Sequence, residues 1–212
     1  ELVIRDWSSD VCSSDLLSNL DAKLRLDMRS EIKRIHDETG RTMIYVTHDQ
    51  SEALSMADRI AVMRDGRIAA IGSPRDIYDR PSSPFVAGFI GEANLINGTV
   101  ESIGSAVTAT TAAGRFASTV YPNDLKPGES IVVCVRPERL RAGDIRPGQN
   151  QLTGTVSQAM YLGAQRQLTI AAGLAGNPVI LRATEVPTDP QPVPGQSVSL
   201  ACDPSDVVIL RP

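Results

Sequence analysis

The sequence predicts two parts of different class: an α/β layer over residues 17–92, then a small all-β barrel or sandwich over 93–212. Two observations carry this reading. Up to Gly91, capped helical stretches alternate with short apolar runs, the pattern of an α/β layer. Past Ala93, nine short β-rich runs follow one another, many separated by turn clusters such as "YPNDLKPGE" and "AGDIRPGQN". At 212 residues the chain has room for one large core or two small ones.

Each element has a local cause. Asn19 or Asp21 can cap a helix whose apolar residues Leu24, Met28, Ile32 and Ile35 recur at helical steps, ending at Gly40. "TMIYVT" (42–47) is β-branched and apolar enough for a buried parallel strand. Asp49 with Glu52 three residues on forms a capping box that opens a helix through Ala57. Asp65-Gly66 sits between two short strands as a hairpin turn. Ser73-Pro74 and Ser83-Pro84 each supply an N-cap with proline in the first helical position, giving two short helices, the second stopping at Gly91. The β runs are "LINGTVESI", "AVTAT", "RFASTVY", "SIVVCVR", "LTGTVSQAMYL", "QRQLTIAA", "PVILRAT", "QSVSLAC" and "DVVIL".

Composition narrows the function classes. A net charge of −4 with 4% aromatic residues gives no footprint for nucleic acid. No uncharged apolar run approaches the roughly 18 residues of a membrane span, so a membrane role must come through a partner. Arg5, Asp6, Asp10 and Asp15 interrupt the apolar core a secretory leader would need, and none is expected. Cys12, Cys134 and Cys202 are widely spaced, with no Cys-x-x-Cys pair, and read as buried or idle thiols in a reducing compartment.

The chemistry concentrates at "YVTHDQSEA". A histidine directly after a buried parallel strand lies at the carboxyl edge, where open α/β sheets place ligand groups. His48 could contact a phosphate, transfer a proton, or cap the next helix. The stretch "LSNLDAKLR", followed by "GRTMIYVTHDQSEALSMADRIAVMRDGRIAAIGSPRDIYDRPSSPFVAGFIGEANLI", resembles the C-terminal part of the ATP-binding subunit of ABC importers over about 75 residues without a gap. That resemblance implies the C-terminal portion of a P-loop NTPase fold. It makes Ser18, Asn19, Leu20 and Asp21 the D-loop, at the interface of two ATPase domains and touching the opposite nucleotide site. It makes His48 the catalytic switch histidine that contacts the γ-phosphate and helps position the attacking water. It also implies ATP and Mg²⁺ in the intact protein, a homodimer of ATPase subunits, transmembrane permease subunits, and indirectly an external solute-binding protein. The setting it implies is cytoplasmic, peripheral on the inner face of a bacterial plasma membrane.

The chain also departs from that pattern. It has no Gly-Lys pair, no G-x-x-x-x-G-K-[ST] loop and no "LSGGQ" signature, so this chain is not expected to hydrolyse ATP by itself. Where the family has Asp-Glu-Pro-Leu before the D-loop, this chain has Ser14, Asp15, Leu16 and Leu17. Serine cannot hold Mg²⁺ as a carboxylate does, and "RDWSSDVCSS" is too polar for a buried central strand. Residues 1–16 are therefore read as foreign to the fold, in preference to a diverged strand with an altered catalytic acid.

"FVAGFIGEANLINGTV", "VRPERLR", "GTVSQAMYLG" and "DPSDVVIL" resemble the accessory OB-like β-barrel of this importer class, often called the TOBE domain. The resemblance implies dimer contact, regulation and sometimes small-ligand binding, and it looks most like polyamine (spermidine/putrescine) importers. Ferric-iron, sulfate, thiamine and sugar importers share much of the layout. A non-catalytic dimerisation module and a small-ligand-binding barrel are the readings from another class. Arg136, Glu138 and Arg139 fit a solvated charge cluster at a strand end as well as a ligand site.

Overall fold

In the computed structural model, residues 22–143, 146–173, 178–187 and 192–212 are described. The segment 1–16 and the residues Ser18–Asp21 lie outside them. The chain divides between Asp79 and Arg80 into two compact units.

The first unit carries helix α1 (Ala22–Thr39), α2 (Gln50–Met56), strands β1 (Ile60–Arg64) and β2 (Arg67–Gly72), and helix α3 (Pro74–Asp79). α1 stops where Gly40 takes φ +59°, its N–H reaching the His36 carbonyl at 3.0 Å. β1 and β2 form an antiparallel hairpin, and Asp65 and Gly66 both adopt positive φ, as a two-residue turn matching strand twist requires. Ser73 Oγ accepts the Asp76 N–H at 3.2 Å and caps α3.

The predicted parallel strand is not formed. Thr42–Thr47 pairs with no strand, and the hairpin is the only sheet of this unit among the described residues. A parallel strand needs a partner strand, and the described residues provide none for 42–47. For the same reason the apolar stripe of α1 stays open, with Leu24 46% and Ile35 39% exposed.

The second unit begins with α4 (Pro84–Phe89) and continues through β3 (Asn94–Ile103), β4 (Val107–Thr111), β5 (Gly114–Ser118), β6 (Ser130–Val135), β7 (Arg141–Ala142), β8 (Asn150–Tyr161), β9 (Arg166–Ala172), β10 (Val179–Glu185), β11 (Ser197–Cys202) and β12 (Val207–Leu210). Every predicted β run is a strand. Two antiparallel five-stranded sheets result, ordered β12-β6-β3-β4-β5 and β10-β9-β8-β11-β7. One core lies between them, built from Val100, Phe116, Ile131 and Ile209 of one sheet and Val156, Leu168, Ile170, Leu181 and Leu200 of the other. β6 and β12 are continuous apolar runs because both faces are buried. Their outer residues Val132, Cys134, Val208 and Leu210 pack with Ala87 of α4. That packing places α4 with the barrel, so the units part ahead of the boundary drawn at residues 92 and 93.

The barrel is an internal duplication. "NLINGTV" (94–100) returns as "NQLTGTV" (150–156), and "PGESIVVCVRPERL" (127–140) returns as "PGQSVSLACDPSDV" (194–207). The geometry repeats with the letters. Val100 and Glu129 bond at 3.0 Å as Val156 and Gln196 do at 2.9 Å, and register shifts fall after Val100 and after Val156. β7, at the end of the first copy, pairs in the second copy's sheet, while β12, at the end of the second, pairs in the first's. Gly98 and Gly154 hold equivalent positions where a Cβ would lie 2.8 Å from the Thr110 carbonyl and 2.7 Å from that of Ala171.

Candidate functional site

His48 follows the unpaired run 42–47 and precedes α2 by two residues. Its side chain is exposed, whereas the residues on either side are tied down. Asp49 is the N-cap of α2: its Oδ1 accepts the Ser51 N–H at 2.8 Å and the Glu52 N–H at 3.3 Å. The expected capping box is only half made. Glu52 does not return to the Asp49 N–H, which donates instead to Thr47 Oγ1 at 2.9 Å. Glu52 turns inward, where Thr47 Oγ1, Tyr45 Oη and Arg29 Nη2 donate to it at 2.6, 3.1 and 3.2 Å.

Arg29 of α1 is the second anchor. Its guanidinium reaches Asp49 Oδ2 at 2.9 Å and Ser51 Oγ at 3.1 Å. One turn further along α1, Lys33 donates to Asp58 beyond the end of α2 at 2.9 Å, so α1 grips α2 at both ends. Partial burial works to raise the Asp49 pKa, but hydrogen bonds from Ser51 and Glu52 and the Arg29 charge outweigh it and hold the carboxyl below its ordinary value. The loop therefore presents one imidazole to solvent from a fixed backbone. Such a group can donate a hydrogen bond to a phosphate oxygen or take up a proton. Ser18, Asn19, Leu20 and Asp21, expected to form the D-loop, lie outside the described residues. Among the described residues no group of three or more His, Cys, Asp or Glu side chains forms that could hold a metal ion.

In the barrel Arg136 and Arg139 of "RPERLR" serve the fold. Arg136 is buried, and its Nη1 donates to the carbonyls of Ala87 and Glu92 at 2.9 and 3.0 Å, closing the end of α4. That corrects the solvated-cluster reading at this residue. Arg139 pairs with Asp206 at 3.3 Å, its counterpart in the duplication. Arg166, also buried, pairs with Glu185. Sequence reasoning passed over the Arg29–Glu52 anchor because its members are separated by a loop and a helix start. The hint it left was a Glu in a capping box with Tyr and Thr on the preceding run.

Residues 133–210 match the TOBE domain family. The spermidine/putrescine import ATP-binding protein PotA of Rubrobacter xylanophilus is 41% identical over 197 residues, which cover 92% of this chain and 52% of that protein. PotA of Acidothermus cellulolyticus is 42% identical over 187 residues, covering 87% and 49%. Among solved structures, the cytoplasmic molybdate-binding protein ModG aligns at 20% identity with a TM-score of 0.48, covering 56% of this chain and 96% of that one. The chain spans about half the length of the curated relatives it matches. Residues 133–210 thus belong to the TOBE domain family, and the chain as a whole is similar to the ATP-binding proteins of ABC importers that carry such a domain.

Proposed function

We propose that this chain is part of an ATP-hydrolysing subunit that energises polyamine uptake through an ABC importer, with His48 as the group that meets the terminal phosphate. Two ATPase subunits would close on two ATP molecules, and their opening and closing would drive a permease supplied by an external solute-binding protein. In hydrolysis a water oxygen bonds to the γ-phosphorus as the bond to the bridging oxygen breaks, releasing ADP and phosphate. Negative charge spreads over the γ-phosphoryl oxygens, and an imidazole N–H fixed near them stabilises that state more than bound ATP. D-loop residues Ser18–Asp21 would contribute at the subunit interface. The phosphate-cradling loop and Mg²⁺ ligands would come from residues other than those described, so this chain taken singly is inactive.

The observation that carries the reading is His48 itself: an exposed imidazole between two anchored neighbours, in a chain 41% identical to a spermidine/putrescine import protein along most of its length. The test is uptake of labelled spermidine. In cells whose own polyamine ATP-binding subunit is replaced by a hybrid of its N-terminal half, through its own Asp-Glu-Pro-Leu, with residues 18–212 of this chain, uptake returns. No uptake from a stably expressed hybrid overturns the polyamine assignment.

A further inference from the structure

The residues on both sides of His48 are held from one place. Glu52 is 3% exposed, and a carboxylate taken out of water costs free energy unless its oxygens are filled. Here they are filled by the segment that leads into His48. Thr47 Oγ1 and Tyr45 Oη donate to Oε2 at 2.6 and 3.1 Å, and Arg29 Nη2 donates to Oε1 at 3.2 Å. Thr47 Oγ1 in turn accepts the Asp49 N–H at 2.9 Å, and the same Arg29 Nη2 reaches Asp49 Oδ2 at 2.9 Å. The bonds run from Thr47 through Glu52 and Arg29 to Asp49 and back to Thr47. The residue between Thr47 and Asp49, His48, is itself exposed. Capping α2 requires only Asp49. A buried carboxylate that collects three donors, one of them from the residue just before an exposed histidine, does more than start a helix.

We propose that Glu52 is the positioning residue of His48, acting through Thr47 and Arg29 and never touching the phosphate. The proposal rests on the reading of His48 as the terminal-phosphate contact. A ring fixed before ATP arrives loses less freedom when it engages the transition state.

The chain's two histidines make the test direct, because His36 of α1 serves as an internal reference for His48. In the 212-residue chain, Glu52→Gln and Thr47→Val are compared with the parent by imidazole NMR and amide exchange. Thr47→Val removes one hydroxyl and leaves Glu52 bonded to Tyr45 and Arg29. The expected result in both variants is a displaced or broadened His48 signal and exchange at 48–51 faster by about tenfold or more, with His36 and helix content unchanged. An unmoved His48 signal in Thr47→Val overturns the proposal. So does joint loss of the His36 and His48 signals in both variants, which would make Glu52 a general stability residue. The readout is independent of turnover. A displaced His48 together with a fully active His48→Ala subunit would sink the phosphate reading, whereas an unmoved His48 with an inactive His48→Ala would sink the role of Glu52 alone.

Discussion

Asn94 and Asn150 do the same work at opposite seams of the barrel. Asn94, opening β3, accepts the Arg182 N–H at 2.7 Å and donates to the Arg182 carbonyl at 2.8 Å. Asn150, opening β8, accepts the Ala117 N–H at 2.6 Å and donates to the Ala117 carbonyl at 2.9 Å. Arg182 and Ala117 lie on β10 and β5, the edge strands of the two sheets. Each asparagine thus stands in for a missing strand, satisfying an edge peptide and fastening one sheet to the other.

Replacing either asparagine with alanine leaves a partly buried edge peptide without its partner. Each variant should lose about 1–3 kcal/mol in urea unfolding followed by far-UV circular dichroism. The two seams share no partner, so the double variant should lose close to the sum. A variant as stable as the parent would show that water replaces the clasp.

The strands of the barrel were legible because each is a short run bounded by turn residues, and burial on one or both faces writes itself into alternation or continuity. The duplication is written in the letters only in part. Its two copies keep Asn, Gly and Pro-Gly at the turns and clasps, while core positions trade freely, Phe116 standing opposite Ala109 where Leu181 faces Ile170. β7, two residues long, has no pattern of its own. The caps at Asp49, Ser73 and Ser83 were readable because capping is local. The strand at 42–47 failed for the opposite reason, since pairing depends on neighbours distant in sequence. His48 stood out through its motif, whereas the network beneath it depends on a fold that brings α1 to the start of α2.

Acid should release the α2 cap before it disturbs the barrel core. The Asp49 pKa is depressed from an ordinary 3.8, so its contribution is complete above that value and fades as pH falls through the lower folded value. Amide protection at Ser51 and Glu52 should therefore hold from neutral pH down to about 4 and decline below it. In Asp49→Asn that decline should be absent. Protection in the parent that weakens between pH 7 and 5 would show that another group governs the cap.

The central claim is that His48 acts on the terminal phosphate during transfer rather than on ATP at rest. In the hybrid subunit that restores uptake, steady-state ATP hydrolysis and equilibrium ATP binding are measured for the parent and for His48→Ala. The account predicts ATP affinity within about twofold and turnover lower by about a hundredfold or more, because the lost interaction belongs mainly to the transition state. Turnover close to that of the parent in His48→Ala would contradict it.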